Sequence, residues 1–221
     1  MYIDNRLLAP AARLLASAAR LLTAAAAIAG LAILGVAGGG VSPAHLLYFT
    51  NLSNAACVLL YAVLLVKPSF VAPRLKGCVL MMLFVTMIIY HFMLSATGFV
   101  MQANLKKSYV VANTLLHYIA PCLALLEWAL FDKKGRFTWT DPLLWLLSPV
   151  LYFAFIMLRG ASGAVLTGPR YPYYFLDVDA IGAAGVAAYA AAFAFAFAAL
   201  GYIIVVIDVL LAKYINPAPR S

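Results

Sequence analysis

Few side chains in this sequence can do chemistry, and those that can fall inside apolar runs. Thr50, Ser53, Asn54 and Cys57 recur at i, i+3, i+4 and i+7, which makes one polar stripe along a helix. His91 follows Tyr90 in a second apolar run. Asn113 and His117 stand one helical turn apart in a third, with Pro121 a further turn on. A threonine hydroxyl is a weak nucleophile at neutral pH and needs a base within hydrogen-bond reach, a role that imidazole suits. On that logic His117 takes the Thr50 proton as the hydroxyl attacks an ester carbonyl, then returns it to the leaving alcohol. Asn51, Asn54, Asn113 and backbone N–H groups are candidate oxyanion donors, and His91 is a candidate supporting group. No GxSxG elbow and no HExxH pair occurs, so soluble-hydrolase and zincin mechanisms have no footing here.

Each of these residues has a plainer role open to it. A membrane threonine usually bonds its own helix backbone, and an isolated membrane histidine or asparagine often ties helices together. Depth raises the catalytic reading above that background. With helices starting near 46 and 110 and a third ending near 98, Thr50 lies roughly 6 Å, and His91 and His117 roughly 10 Å, below one face of the membrane. Three separate helices thus deliver hydroxyl and imidazole groups to one level.

The elements that must position them follow from composition. Of 221 residues, 67% are hydrophobic and 10% charged. A soluble domain needs roughly 25% charged residues, so most of this surface must face lipid. Six apolar stretches are long enough to span, at about 21–38, 46–66, 77–98, 110–130, 142–159 and 183–211. The expected fold is therefore all-α, a single six-helix transmembrane bundle over 1–221. Residues 7–20 read as an interfacial helix before the first span. Arg6 and Arg13 ahead of an apolar run also resemble a signal peptide, but the run is long and feeds a polytopic chain, so an uncleaved span is the expectation.

Lys and Arg divide eleven against four of the fifteen between alternate connections, the smaller set being Lys106, Lys107, Arg159 and Arg170. The positive-inside rule then places both termini in the cytoplasm. The net charge of +8 is read as topology signal and headgroup contact, not nucleic-acid binding. Glu127 and Asp208 fall near the cytoplasmic ends and are expected to snorkel toward a Lys or Arg. Cys57, Cys78 and Cys122 lack metal-ligand spacing and read as small buried hydrophobes, so neither metal nor cofactor is expected. The Ala-rich stretch 183–199 reads as close-packing helix.

One connection is long. Residues 160–182 are rich in Gly, Pro and aromatics, and suit either an interfacial anchor with Tyr171, Tyr173, Tyr174 and Phe175 at headgroup level or a lid over the cavity. Asp177 and Asp179 within it are candidates to orient His117, as a third triad member would, or to pair with Arg159 or Arg170 and pin the loop.

At these residues the chain resembles the androgen-induced gene family of multi-spanning threonine hydrolases. The likeness rests on Tyr48-Phe49-Thr50, on His117-x-x-x-Pro121 and on Tyr171-Pro172 followed by Phe175-Leu176-Asp177. The strings YFTNLSN, EWALFDKKGR and YPYYFLDVDAIG resemble bacterial six-helix relatives of that family. The resemblance spans about 46–211 and implies Thr50 as nucleophile, His117 as base, a fatty acid ester as substrate and a bacterial plasma membrane as location. Asn51-Leu52-Ser53-Asn54 departs from the more apolar animal pattern. Two other classes compete: a haem-binding electron carrier with His91 and His117 as axial ligands, and a small-solute transporter or receptor, for which no inverted repeat or midplane charge is found.

Overall fold

The computed structural model describes residues 5–40, 42–70, 72–95, 107–163 and 168–215, with side chains described from 10 to 214 within those ranges. Among them helices and their connections occur without any strand, and six helices are long and apolar enough to cross a membrane. We number them α1 (Asn5–Ala37), α2 (Phe49–Val66), α3 (Pro73–Leu94), α4 (Lys107–Phe131), α5 (Asp141–Ala161) and α6 (Val178–Ile215). Helices α1 to α4 pack side by side, while α5 and α6 lean on α3. The first turn of α5 packs on α6, but the body of α5 scarcely touches it. The expected span end at 98, Lys106, residues 164–167 and the side chains of Arg6 and Arg220 lie outside the described residues.

Several boundaries differ from expectation for identifiable reasons. Residues 7–20 are not a separate interfacial helix, because α1 runs unbroken from Asn5 despite Pro10. Pro10 costs the helix one backbone hydrogen bond, to the Arg6 carbonyl, close to its N-terminus. The second helix starts at Phe49 and not 46. Ser42 caps a separate 3-10 turn over Pro43–Leu47, and Tyr48 is extended at φ −96°, ψ 124°. Thr50 therefore stands in the first turn of α2. Near the start of α6, Gly182 has φ 71°, a left-handed conformation that interrupts the helix just where the expected span begins.

Two helices carry a π turn, in which the backbone ladder slips to i+5: Tyr90–Leu94 in α3 and Leu115–Ile119 in α4. The second has a cause in the sequence. Pro121 has no N–H for the carbonyl of His117 and its ring crowds that carbonyl, so the preceding turn must widen. Beside it, Gly30 lets α1 approach closely. A Cβ on Gly30 would come within 2.6 Å of Leu116 Cγ, the side chain preceding His117.

The end of the bundle remote from Thr50 is locked by charge. Glu127 is fully buried and accepts from Arg20 Nε at 2.7 Å, from the Lys76 amine and from the Tyr61 hydroxyl at 3.3 Å. Lys76 also reaches Asp132 at 2.7 Å. Four helices thus meet at one carboxylate. Glu127 does find its Lys and Arg as expected, but in the interior and not by snorkelling. Asp208 departs further, since it is buried and accepts from the backbone N–H groups of Arg136 and Phe137 at 2.8 and 3.0 Å. The loop before α5 is short of internal partners, and a carboxylate supplies them. The Ala-rich start of α6 does not close-pack as expected: most of its residues from Ala183 to Ala194 are exposed, with Val186 the buried exception.

Candidate active site

The Thr50 hydroxyl and His117 Nε2 lie 3.1 Å apart, and both side chains are buried. The opposite ring nitrogen decides the direction of that bond. Nδ1 lies 3.0 Å from the backbone carbonyl of Asn113, which can only accept, so Nδ1 carries the proton. Nε2 is then a free lone pair, and the Thr50 O–H donates to it. The imidazole is fixed in plane as well: the Tyr90 ring stacks on it at 3.9 Å between centroids and 18° between planes. Both rings come from the π turns, where side-chain direction is shifted from the α-helical spacing.

The pair stands between two cavities. One, of about 300 Å³, is the more polar, with His45, Tyr48, Asn51, Tyr109, Asn113 and His117 in its lining. The other, of about 120 Å³, is apolar and runs between α3, α5 and α6, with Ile89, Phe153 and Phe193 among its walls. Thr50, Leu94 and Tyr173 line both. Val150 on α5 and Ala194 on α6, also at the apolar cavity, are exposed on the outer surface of the bundle. The gap between the bodies of α5 and α6 therefore opens sideways, toward what would be lipid.

The other sequence candidates divide. Asn113 contributes through its carbonyl, and its side chain borders the polar chamber. Asn51 Nδ2 donates to the His45 carbonyl at 2.8 Å, and Asn54 Nδ2 donates to the carbonyls of Thr50 and Leu116 at 2.9 and 3.2 Å. Those amides hold backbone carbonyls. Ser53 is fully buried and donates to the Phe49 carbonyl at 2.7 Å. His91 is corrected: it is exposed and shares a hydrogen bond with the Tyr118 hydroxyl at 3.2 Å, while its neighbour Tyr90 faces inward. Both His117 nitrogens are engaged and His91 faces away, so the two do not form an axial-ligand pair. Among the described residues no group of three or more His, Cys, Asp or Glu is arranged to hold a metal ion.

Neither acid orients the base. Asp177 caps the first turn of α6, its Oδ1 accepting from the N–H groups of Asp179 and Ala180 at 3.0 and 3.1 Å. Asp179 pairs with Arg170 at 2.7 Å, the pinning alternative. The position that an acid would fill on Nδ1 belongs to the Asn113 carbonyl. The segment around them enters the bundle: Tyr173, Phe175 and Leu176 are buried, and Tyr174 is exposed. Three residues of this site escaped sequence reasoning. Tyr90 and Tyr173 looked like ordinary membrane aromatics. His45 had a visible signal in Ser42-x-x-His45, a capping box in which Nδ1 accepts from the Ser42 N–H.

The class defined by this fold is a multi-pass helical membrane protein, with a buried hydroxyl–imidazole pair between a polar and an apolar cavity. No protein-family model, curated protein or solved structure matches the chain.

Proposed function

We propose that this protein is a membrane-embedded hydrolase that cleaves a lipid ester with Thr50 as nucleophile and His117 as general base. The observation that carries the reading is the 3.1 Å Thr50–His117 contact, with the proton held on Nδ1 so that Nε2 is the acceptor. A substrate with its acyl chain in the apolar cavity and its alcohol in the polar chamber brings its carbonyl to Thr50, where the two spaces meet. Thr50 Oγ then bonds to the carbonyl carbon as its proton passes to Nε2. The tetrahedral intermediate collapses by breaking the bond to the alcohol oxygen, which takes the proton from Nε2. Water, deprotonated in turn by Nε2, cleaves the acyl-threonine and restores both groups.

The resemblance to the androgen-induced gene family supports the same pair and a fatty acid ester. The excess of Lys and Arg at the Glu127 end supports an orientation with cytoplasmic termini and the Thr50 end outward, and the resemblance to bacterial relatives supports a bacterial plasma membrane. Labelling by a lipophilic fluorophosphonate tests the reading. Thr50→Ala and His117→Ala should abolish labelling, and Ser53→Ala should leave it, since Ser53 is buried against its own helix. Undiminished labelling of Thr50→Ala refutes the assignment.

A further inference from the structure

A threonine–histidine pair accounts for the nucleophile and the proton, but not for the negative charge that develops on the ester carbonyl oxygen. In a low-dielectric site that charge needs a preorganised donor. Asn51 and Asn54 hold backbone carbonyls, and Asn113 borders the polar chamber but not the junction of the two cavities. Tyr173 is different. Its side chain is buried, it borders both cavities beside Thr50, and neighbouring rings hold it: Tyr48 edge-on at 5.8 Å and Phe175 stacked at 5.1 Å. The groups acting most on its phenol are the Thr50 side chain and the backbone N–H groups of Phe49 and Thr50. Those two N–H groups belong to the first turn of α2, where no helical carbonyl can receive them.

We propose that Tyr173 is the oxyanion donor of this site, its O–H binding the carbonyl oxygen of the ester under attack by Thr50. The inference rests on the Thr50–His117 reading and adds the group that reading lacks. The phenol lies beside the N-terminus of an 18-residue helix, whose positive end polarises its O–H. No proton leaves Tyr173. The carbonyl π pair becomes the oxyanion, the hydrogen bond shortens in the transition state, and collapse returns the pair to the carbonyl. Tyr173 also sits where acyl chain and alcohol must diverge, so the segment between α5 and α6 carries a working part of the site and not only a cover.

The test is Tyr173→Phe in the full chain in detergent micelles, with a p-nitrophenyl acyl ester as substrate. Removal of one oxyanion donor typically costs about 10²–10³ in turnover. We expect kcat to fall about 10²-fold with KM within about threefold, since the bond forms fully only in the transition state. A long-chain trifluoromethyl ketone, which forms a tetrahedral adduct with Thr50, should lose affinity by the same factor as kcat/KM. The product fatty acid should bind both forms alike. If kcat falls while ketone affinity is unchanged, Tyr173 is structural and the inference is overturned. The same follows if Tyr173→Phe turns over normally while Thr50→Ala is dead, and the threonine–histidine pair then survives. An active Thr50→Ala overturns both. Should Tyr173→Phe fail to fold, 3-fluorotyrosine at position 173 keeps the ring and strengthens the donor; ketone affinity must then rise, and an unchanged value refutes the role.

Discussion

Replacing Glu127 by glutamine probes what holds the bundle together beneath the site. The carboxylate is fully buried and meets Arg20 at 2.7 Å, the Lys76 amine and the Tyr61 hydroxyl. At an effective dielectric of about 20, the Arg20–Glu127 attraction alone is about 6 kcal/mol at 2.7 Å. Most of that is offset by the cost of desolvating the ions, but removing one partner leaves the others buried without it, which typically costs 3–5 kcal/mol. Asp132 remains 2.7 Å from Lys76 and 3.9 Å from Arg20, so part of the compensation survives. The expected loss is therefore near the low end, about 3 kcal/mol. Reversible unfolding in mixed micelles, followed by near-ultraviolet circular dichroism, measures it. Lys76→Met combined with Glu127→Gln should cost less than the sum of the single changes, by about 2 kcal/mol, as expected of groups in one network. A Glu127→Gln protein within 0.5 kcal/mol of wild type, or strict additivity, would refute the account of Glu127 as the shared anion of four helices.

Three other expectations follow from the same geometry. Asp177→Ala should destabilise by about 1 kcal/mol through loss of the α6 cap, with kcat unchanged, whereas a tenfold fall in kcat would return Asp177 to the role of orienting His117. Ala194→Phe should narrow the apolar cavity and shift preference toward shorter acyl chains, read as the ratio of kcat/KM between C16 and C6 esters; an unchanged ratio means that the chain lies elsewhere. Burial pushes the Tyr173 phenol up to about 12, with the Thr50 and Phe49 contacts acting against that rise. A raised phenol favours the neutral form, so its contribution is whole below pH 10, the ordinary value, and is lost as pH climbs through about 12. Turnover should accordingly stay level through pH 10; a loss centred on pH 10 in wild type that vanishes in Tyr173→Phe contradicts it.

How far the sequence alone reached is clearest from single residues. Composition and run length determined six spans and an all-helical chain, because lipid leaves a backbone no partner outside its own helix. The same physics picked out Thr50 and His117, since a polar group in an apolar run is costly enough to be informative. Helix rise determined that polar groups on α2, α3 and α4 share one level. It could not determine which of two adjacent residues faces inward, because successive side chains differ by about 100° around a helix and a π turn changes that rotation. Only the packed structure decided that Tyr90 and not His91 meets His117. Only it decided that a backbone carbonyl and not Asp177 sets the imidazole tautomer. Tyr173 comes more than a hundred residues after Thr50, in a connection without regular periodicity, and its place beside that hydroxyl exists only once six helices enclose it. Depth belongs to one helix and can be read along the chain; direction and partnership belong to the bundle.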